Sequence, residues 1–356
     1  MNRAARARDV GLHAVTPYGR QAGSSRVRVH EWVDRLQDVI EVHPYAGLAG
    51  AGPRELLRHS VRVVGAEASL RRLASSRPRR LLLHREASPL SRGGLEAALT
   101  SSAGASVYDF DDALYADTGE GPLYRRIAPK SAKVAEVLQT VDRVVAGNDT
   151  LANWAADHHR DVVVIPSCVD PDAYRPKTDY RVGAPPRIGW IGSWSTERQL
   201  IAIAPALRAM RDRCGARLVV VGSPDGRLGG LEDMVERIPW SLPAQREALA
   251  GFDVGVMPVV DTPYARGKCG YKLLQYLAAK VPCVASPVGA NSEILGRAGM
   301  PAATTTDEWT NALTALLEAP VADRAALGAR GHAAVSRHYS FSAWHDRWRT
   351  AMFMDA

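Results

Sequence analysis

The sequence predicts an α/β protein made of two parallel-sheet domains. Three observations predict it. Short apolar runs of strand length alternate with helical patterns through both halves of the chain. Glycine-bearing loops follow several of those runs, at the strand ends where parallel sheets bind ligands. The length, 356 residues, exceeds one ordinary domain. A polar stretch from Asp170 to Pro186, punctuated by Pro171, Pro176, Gly183, Pro185 and Pro186, reads as the joint between the two.

The N-terminal half opens with a strand, Val10 to Val15, and the turn Gly19-Arg20-Gln21-Ala22-Gly23. A helix is expected from about Arg26 to Val39, because Val29, Trp32, Val33 and Leu36 recur at helical spacing. Further strands are expected at Ile40–His43, Arg80–His84, Ser106–Phe110, Arg143–Ala146 and Val162–Ile165. In the C-terminal half, Arg187–Ile191 leads into Gly192-Ser193-Trp194-Ser195, and Arg217–Val221 leads into Gly222-Ser223-Pro224-Asp225-Gly226. The most informative segment runs from Asp253 to Ile294: strand, Gly267-Lys268-Cys269-Gly270, helix Tyr271–Ala279, strand Pro282–Ala285, and a second glycine loop through Gly289. Glycines let a backbone approach an anion, and a helix start supplies N–H groups. Lys268 and Lys272, four residues apart on one helical face, add full charges. That combination fits a diphosphate, with solvated surface lysines as the plain alternative.

Composition bounds the partners. The net charge is +7, spread along the chain without a block of like charges. There is no zinc-finger spacing and no aromatic-basic RNA-binding signature, which argues against nucleic acid. Four cysteines form no C-x-x-C pair, which fits a reduced, cytoplasmic protein. No apolar run is long enough for a spanning helix, and the N-terminus lacks the apolar core of a secretory signal. The histidines are scattered, with His13 and His43 assigned to the sheet or its edges, and no metal site is expected.

Several motifs carry a family resemblance. Val164-Ile165-Pro166-Ser167-Cys168-Val169-Asp170 with Tyr174-Arg175-Pro176, the strand Leu218–Gly222, the strand Phe252–Pro258 and the segment Lys268 to Glu293 resemble, in order, glycosyltransferase family 4 of the GT-B fold. The runs GKCGYKLLQY and YDFDDALY resemble a subgroup of that family. The resemblance implies two Rossmann-like domains facing across a cleft: an acceptor-binding domain over 1–170, a linker over 171–186, a nucleotide-sugar domain over 187–335, and a C-terminal helix over 336–356 packing back on the first domain. The sequence departs from the family at the donor motif. Gly267 and Gln275 stand where two glutamates are usual, and Ser193 stands for an arginine, with Arg198 as a substitute for a nearby lysine.

The resemblance implies site residues. Lys268, Lys272, Gly267, Gly270, Gly19, Arg20 and Ser193 would surround the donor diphosphate. Gly222, Trp240, Gln275 and Glu293 would serve the nucleoside. Asp111, Asp112 and Glu86, at strand ends of the first domain, are the candidates for catalysis or acceptor binding; an ordinary helix-cap cluster is the alternative for the aspartates. The implied activity is retaining, metal-independent transfer of a sugar from a nucleotide-sugar donor to a small-molecule or glycan acceptor, without a cofactor. Arg- and Ala-rich usage fits a GC-rich coding bias and points to a bacterial antibiotic or specialised-metabolite pathway. Cell-envelope polysaccharide assembly, a sugar-nucleotide epimerase and a noncatalytic nucleotide-sugar-binding homologue are the rivals.

Overall fold

The computed structural model describes residues 10–48, 52–116 and 129–353. The charged N-terminal stretch read above therefore lies mostly outside the described residues. The chain forms two compact units: Met1–Ser167 with Trp344–Ala356, and Cys168–Ala343. The stretch expected as a joint lies in the second unit. There Lys177 N donates to Ala279 O (2.8 Å), Tyr180 Oη to Lys280 O (2.9 Å), and the buried Lys177 ammonium sits 3.7 Å from Asp253.

Unit 1 is a six-stranded parallel sheet in the order β2-β1-β3-β4-β5-β6: β1 Leu12–Thr16, β2 Ile40–Pro44, β3 Arg80–His84, β4 Ala105–Phe110, β5 Arg143–Ala146 and β6 Val162–Val164. Its central strands are buried on both faces, as Leu81, Leu82 and Leu83 show, which is why they read as continuous apolar runs. The helical stretch after β1, here α1, comprises Gly23–Ser25, a π-helical segment Arg26–His30, and Glu31–Val33. It starts earlier and stops earlier than its apolar spacing predicts. The wider π turn shifts the side-chain phase, so the pattern beyond Val33 no longer falls on the buried face. At the other end of the chain, Trp348 is buried and stacks on Trp32 with ring centroids 5.1 Å apart.

Unit 2 is a five-stranded parallel sheet in the order β11-β10-β7-β8-β9: β7 Arg187–Ile191, β8 Arg217–Gly222, β9 Val235–Pro239, β10 Val254–Met257 and β11 Cys283–Ala285. Alternation along β8 divides its core: Leu218 and Val220 pack into one apolar cluster, Val219 and Val221 into another. β9 is an edge strand whose residues are half-buried or exposed. Its sequence, Val-Glu-Arg-Ile-Pro, lacks the apolar run that marks its neighbours.

Each sheet has one switch point, where successive connections leave in opposite directions. In unit 1 it lies between β1 and β3, in unit 2 between β7 and β10. Open α/β sheets bind ligands outside the carboxyl ends of such strand pairs.

Candidate active site

The unit 2 switch point is lined by the loops after β7 and β10. Helix α2, Tyr271–Ala278, follows the second loop. Tyr276 fixes it: its buried hydroxyl accepts from Ile191 N (3.1 Å) and donates to Val256 O (3.1 Å), joining α2 to the ends of β7 and β10. Burial pushes this phenol far above its usual range, so it remains a neutral donor. One turn earlier, Lys272 reaches back over the β7 loop. Its Nζ lies 5.4 Å from the Trp190 ring centroid, and a Cβ on Gly192 would come within 2.6 Å of its Cε. Lys268, half-buried in the preceding loop, holds its Nζ 5.4 Å from the Tyr264 ring.

Two glycines shape this cradle through positive φ. Gly270 has φ +66°, and a side chain there would meet Ile294 at 2.5 Å. Gly289 has φ +60°, and a Cβ would meet Arg266 O at 2.5 Å and Lys268 O at 3.1 Å. The loops after β10 and β11 thus interlock, with Ala290 N donating to Lys268 O (3.3 Å). Asn291 is buried there; its amide donates to Ser286 O (3.0 Å), while its Oδ1 has no hydrogen-bond donor among the described residues.

The remaining residues expected around the donor separate into groups. Gly222 is buried beside the β7 loop, a Cβ there lying 3.2 Å from Gly192 O. Ser193 is exposed at the N-cap position of the short Trp194–Glu197 helix, where its side chain makes no capping bond, and Trp194 is also exposed. Trp240 is half-buried, and its indole N–H donates to Gln245 Oε1 (3.0 Å). Gln275 is buried, and its amide donates to Tyr174 Oη and Gln245 Oε1 (3.2 Å each). That amide belongs to an internal polar network. Glu293 is exposed and paired with Arg297 (2.7 Å) one helical turn on, so it bonds no loop N–H. Sequence reading missed Glu197 and Arg237. Arg237 donates to Glu197 Oε1 (2.7 Å) and to Ser223 O (3.0 Å), bracing the β7 and β8 loops against each other.

The unit 1 switch point carries a cluster the sequence does not reveal. Ser24, at the start of the helical stretch after β1, places Oγ 2.7 Å from His84 Nε2. His84, at the end of β3, is fully buried, and its Nδ1 lies 2.7 Å from Asp109 Oδ2 on β4. Asp109 is also held by Arg28 from the π-helical segment, which donates in addition to Ile165 O (2.8 Å). Burial works to raise the Asp109 carboxyl, yet Arg28 and His84 hold it below the usual carboxylate range. An ionised Asp109 only accepts, so Nδ1 carries hydrogen and Nε2 faces Ser24.

Asp111 and Asp112 stand at this cluster's rim. Arg85 bonds both (2.5 Å each), and Asp111 also accepts from Ser24 Oγ (3.0 and 3.1 Å). Against the penalty of burial, the Arg85 and His84 charges hold Asp111 well below the usual range. Arg85 has φ +62°, a left-handed conformation that costs a bulky residue about 1–2 kcal/mol. Asp109 O accepts from its N–H (2.8 Å), and its carbonyl accepts from Tyr108 Oη (3.0 Å).

Two further residues expected at the site have ion-pair partners within unit 1. Glu86 is buried in an ion pair with Lys133 (2.5 Å) and Lys130 (3.0 Å). Arg20 is exposed but bidentate to Asp34 (2.6 and 2.7 Å), so its guanidinium is already engaged within unit 1. Gly19 packs against Gly47, where a Cβ would lie 3.1 Å from the carbonyl oxygen.

Comparison with known proteins defines the class. Residues 185–319, within the second unit, match the family described as Glycosyl transferases group 1. Solved structures match across nearly the whole chain at low identity. Sucrose-phosphate synthase from Thermosynechococcus elongatus gives a TM-score of 0.70 at 14% identity, covering 97% of this chain and 99% of its own. Anabaena HepE in complex with UDP and glucose gives 0.69 at 14%, covering 96% and 98%. WaaG, a glycosyltransferase involved in lipopolysaccharide biosynthesis, gives 0.66 at 14%, covering 96% and 99%. No curated protein matches the sequence. The fold is that of GT-B glycosyltransferases, and the group 1 domain with these neighbours supports a nucleotide-sugar-dependent glycosyltransferase.

Proposed function

We propose that the protein is a retaining, metal-independent glycosyltransferase of the family 4 type, acting in the cytoplasm. It moves a sugar from a nucleotide-sugar donor to a hydroxyl of a small-molecule acceptor in a bacterial antibiotic or other specialised-metabolite pathway. The observation that carries this reading is Lys272, held across the β7 loop at the unit 2 switch point, with Lys268 and two positive-φ glycines beside it. Two ammonium groups and backbone N–H donors are what a departing diphosphate requires. Neighbouring structures contain UDP and UDP-glucose, which makes a uridine donor the first to test.

In the reaction, the acceptor oxygen bonds the anomeric carbon as the bond from that carbon to the donor phosphate breaks. The acceptor proton passes to a phosphate oxygen of the leaving nucleoside diphosphate, on the same face. Lys268 and Lys272 neutralise the charge that builds there. Ser24, backed by His84 and Asp109, is assigned to binding the acceptor hydroxyl.

A thermal-shift panel of UDP-, dTDP-, GDP- and ADP-sugars tests the donor, since a bound ligand raises stability by mass action. A rise with one nucleotide class that Lys272→Ala shifts to at least tenfold higher ligand concentration supports the reading. No rise with any of them, or a rise of the same size in the variant at every ligand concentration, overturns it. Product stereochemistry by proton NMR then tests retention.

A further inference from the structure

We propose that His13, Glu41 and His43 form a binding site for a divalent transition-metal ion of the zinc type. The site lies on strands β1 and β2 and depends on nothing in the donor-binding reading. Parallel pairing sets it up: His13 is in register with Glu41, and His43 follows two residues later on the same face of edge strand β2. The sequence separates the two histidines by 30 positions, so only strand pairing brings them together.

The geometry is close to a coordination sphere. His13 Nδ1 and His43 Nε2 are 3.0 Å apart. A Glu41 oxygen lies 3.7 Å from His13 Nδ1 and another lies 3.8 Å from His43 Nε2. All the ligand atoms fall within 4.8 Å of one another. Tetrahedral zinc with bonds of about 2.0–2.2 Å spaces its ligands roughly 3.3 Å apart, between the short and long gaps observed. In the ion-free structure the two nitrogens face each other in a hydrogen bond, with ring centroids 5.3 Å apart, so a bound ion would replace that bond and turn both rings toward it.

The chemistry agrees. Two imidazoles and one carboxylate are borderline ligands that suit zinc, nickel, copper or cobalt and disfavour magnesium and calcium. Both histidine side chains are largely covered while Glu41 is half-exposed, which leaves a coordination position open to water. An ion here would tie edge strand β2 to β1.

The test uses full-length protein without a histidine tag, stripped with chelator and titrated with Co²⁺ alone. The expected result is a stoichiometric visible absorption band of four- or five-coordinate cobalt, displaced by Zn²⁺ and untouched by Mg²⁺. His43→Asn should abolish the band, and Glu41→Gln, at an exposed position, should raise the Kd for Co²⁺ at least tenfold. Far-UV circular dichroism should match metal-free wild type in both. Absence of a band in the wild type overturns the proposal. So does a band of unchanged affinity in Glu41→Gln and in folded His43→Asn, because cobalt would then sit elsewhere.

Discussion

Lys272 lies across Gly192: a single methyl group at Gly192 would collide with the lysine side chain at 2.6 Å and with the Trp190 ring at 2.6 Å. The position of the charge is therefore set by the absence of a side chain on the opposite loop. Lys272→Ala should weaken donor binding by about 10- to 100-fold, the usual worth of a charge-assisted bond at roughly 1.5–3 kcal/mol. Its melting temperature without ligand should stay near wild type. Gly192→Ala should weaken binding too, by displacing an intact lysine. Calorimetric titration with the nucleoside diphosphate measures both.

Tyr276 offers a subtler handle on the same charge. Its hydroxyl is the tie between Ile191 N–H and Val256 O. Tyr276→Phe leaves both backbone groups buried without that partner and should cost about 1–3 kcal/mol of stability. Denaturant melts measure this. Donor affinity should fall by less than in Lys272→Ala, because the ammonium remains.

Ser24 separates binding from chemistry on the other unit. Ser24→Ala removes a hydroxyl from the His84–Asp109 chain without opening a large cavity. Transfer to acceptor should drop while nucleotide binding stays unchanged, and the loss should appear in KM for the acceptor at least as much as in kcat. Equal acceptor kinetics in wild type and variant would remove Ser24 from the acceptor site.

Unit 1 should be sensitive to acid. Glu86, Asp109 and Asp111 all have carboxyls held below their ordinary values in the folded state by neighbouring cations, against burial. The unfolded chain therefore takes up protons first as pH falls. The stability these groups contribute is complete above the ordinary carboxylate range of about 4 and is lost as pH drops through it toward the folded values. Urea melts at a series of pH values between neutrality and acid should show it. Glu86→Ala, which leaves Lys133 buried without its carboxylate, should cost about 3–5 kcal/mol at neutral pH and flatten part of the acid slope.

Much of the architecture was legible in the chain. Arg80–His84, Arg143–Ala146 and Arg187–Ile191 form strands with the bounds their apolar runs imply. The Gly267–Lys272 segment drew the phosphate proposal because glycine, lysine and a helix start coincide within six residues. Edge strand β9 stayed hidden because one exposed face and an open edge impose no apolar run. The burial of Gln275 and Glu86 was not legible for the opposite reason: burial is a tertiary property, and a polar letter in a sequence does not reveal which side faces the core. The Ser24–His84–Asp109 chain was invisible because its members lie 60 and 25 residues apart, and only sheet order makes them neighbours. No spacing rule encodes that.

The stacking of Trp348 on Trp32 means that unit 1 is assembled from segments on both sides of unit 2 in the sequence. During synthesis the ribosome delivers residues 10–167 early, but the partner for Trp32 emerges only after all of unit 2. The second unit, continuous in sequence, can finish folding first, while the first waits for its closing helix. Translation that stops before Trp348 would thus leave an apolar seam uncovered on a sheet that is otherwise complete.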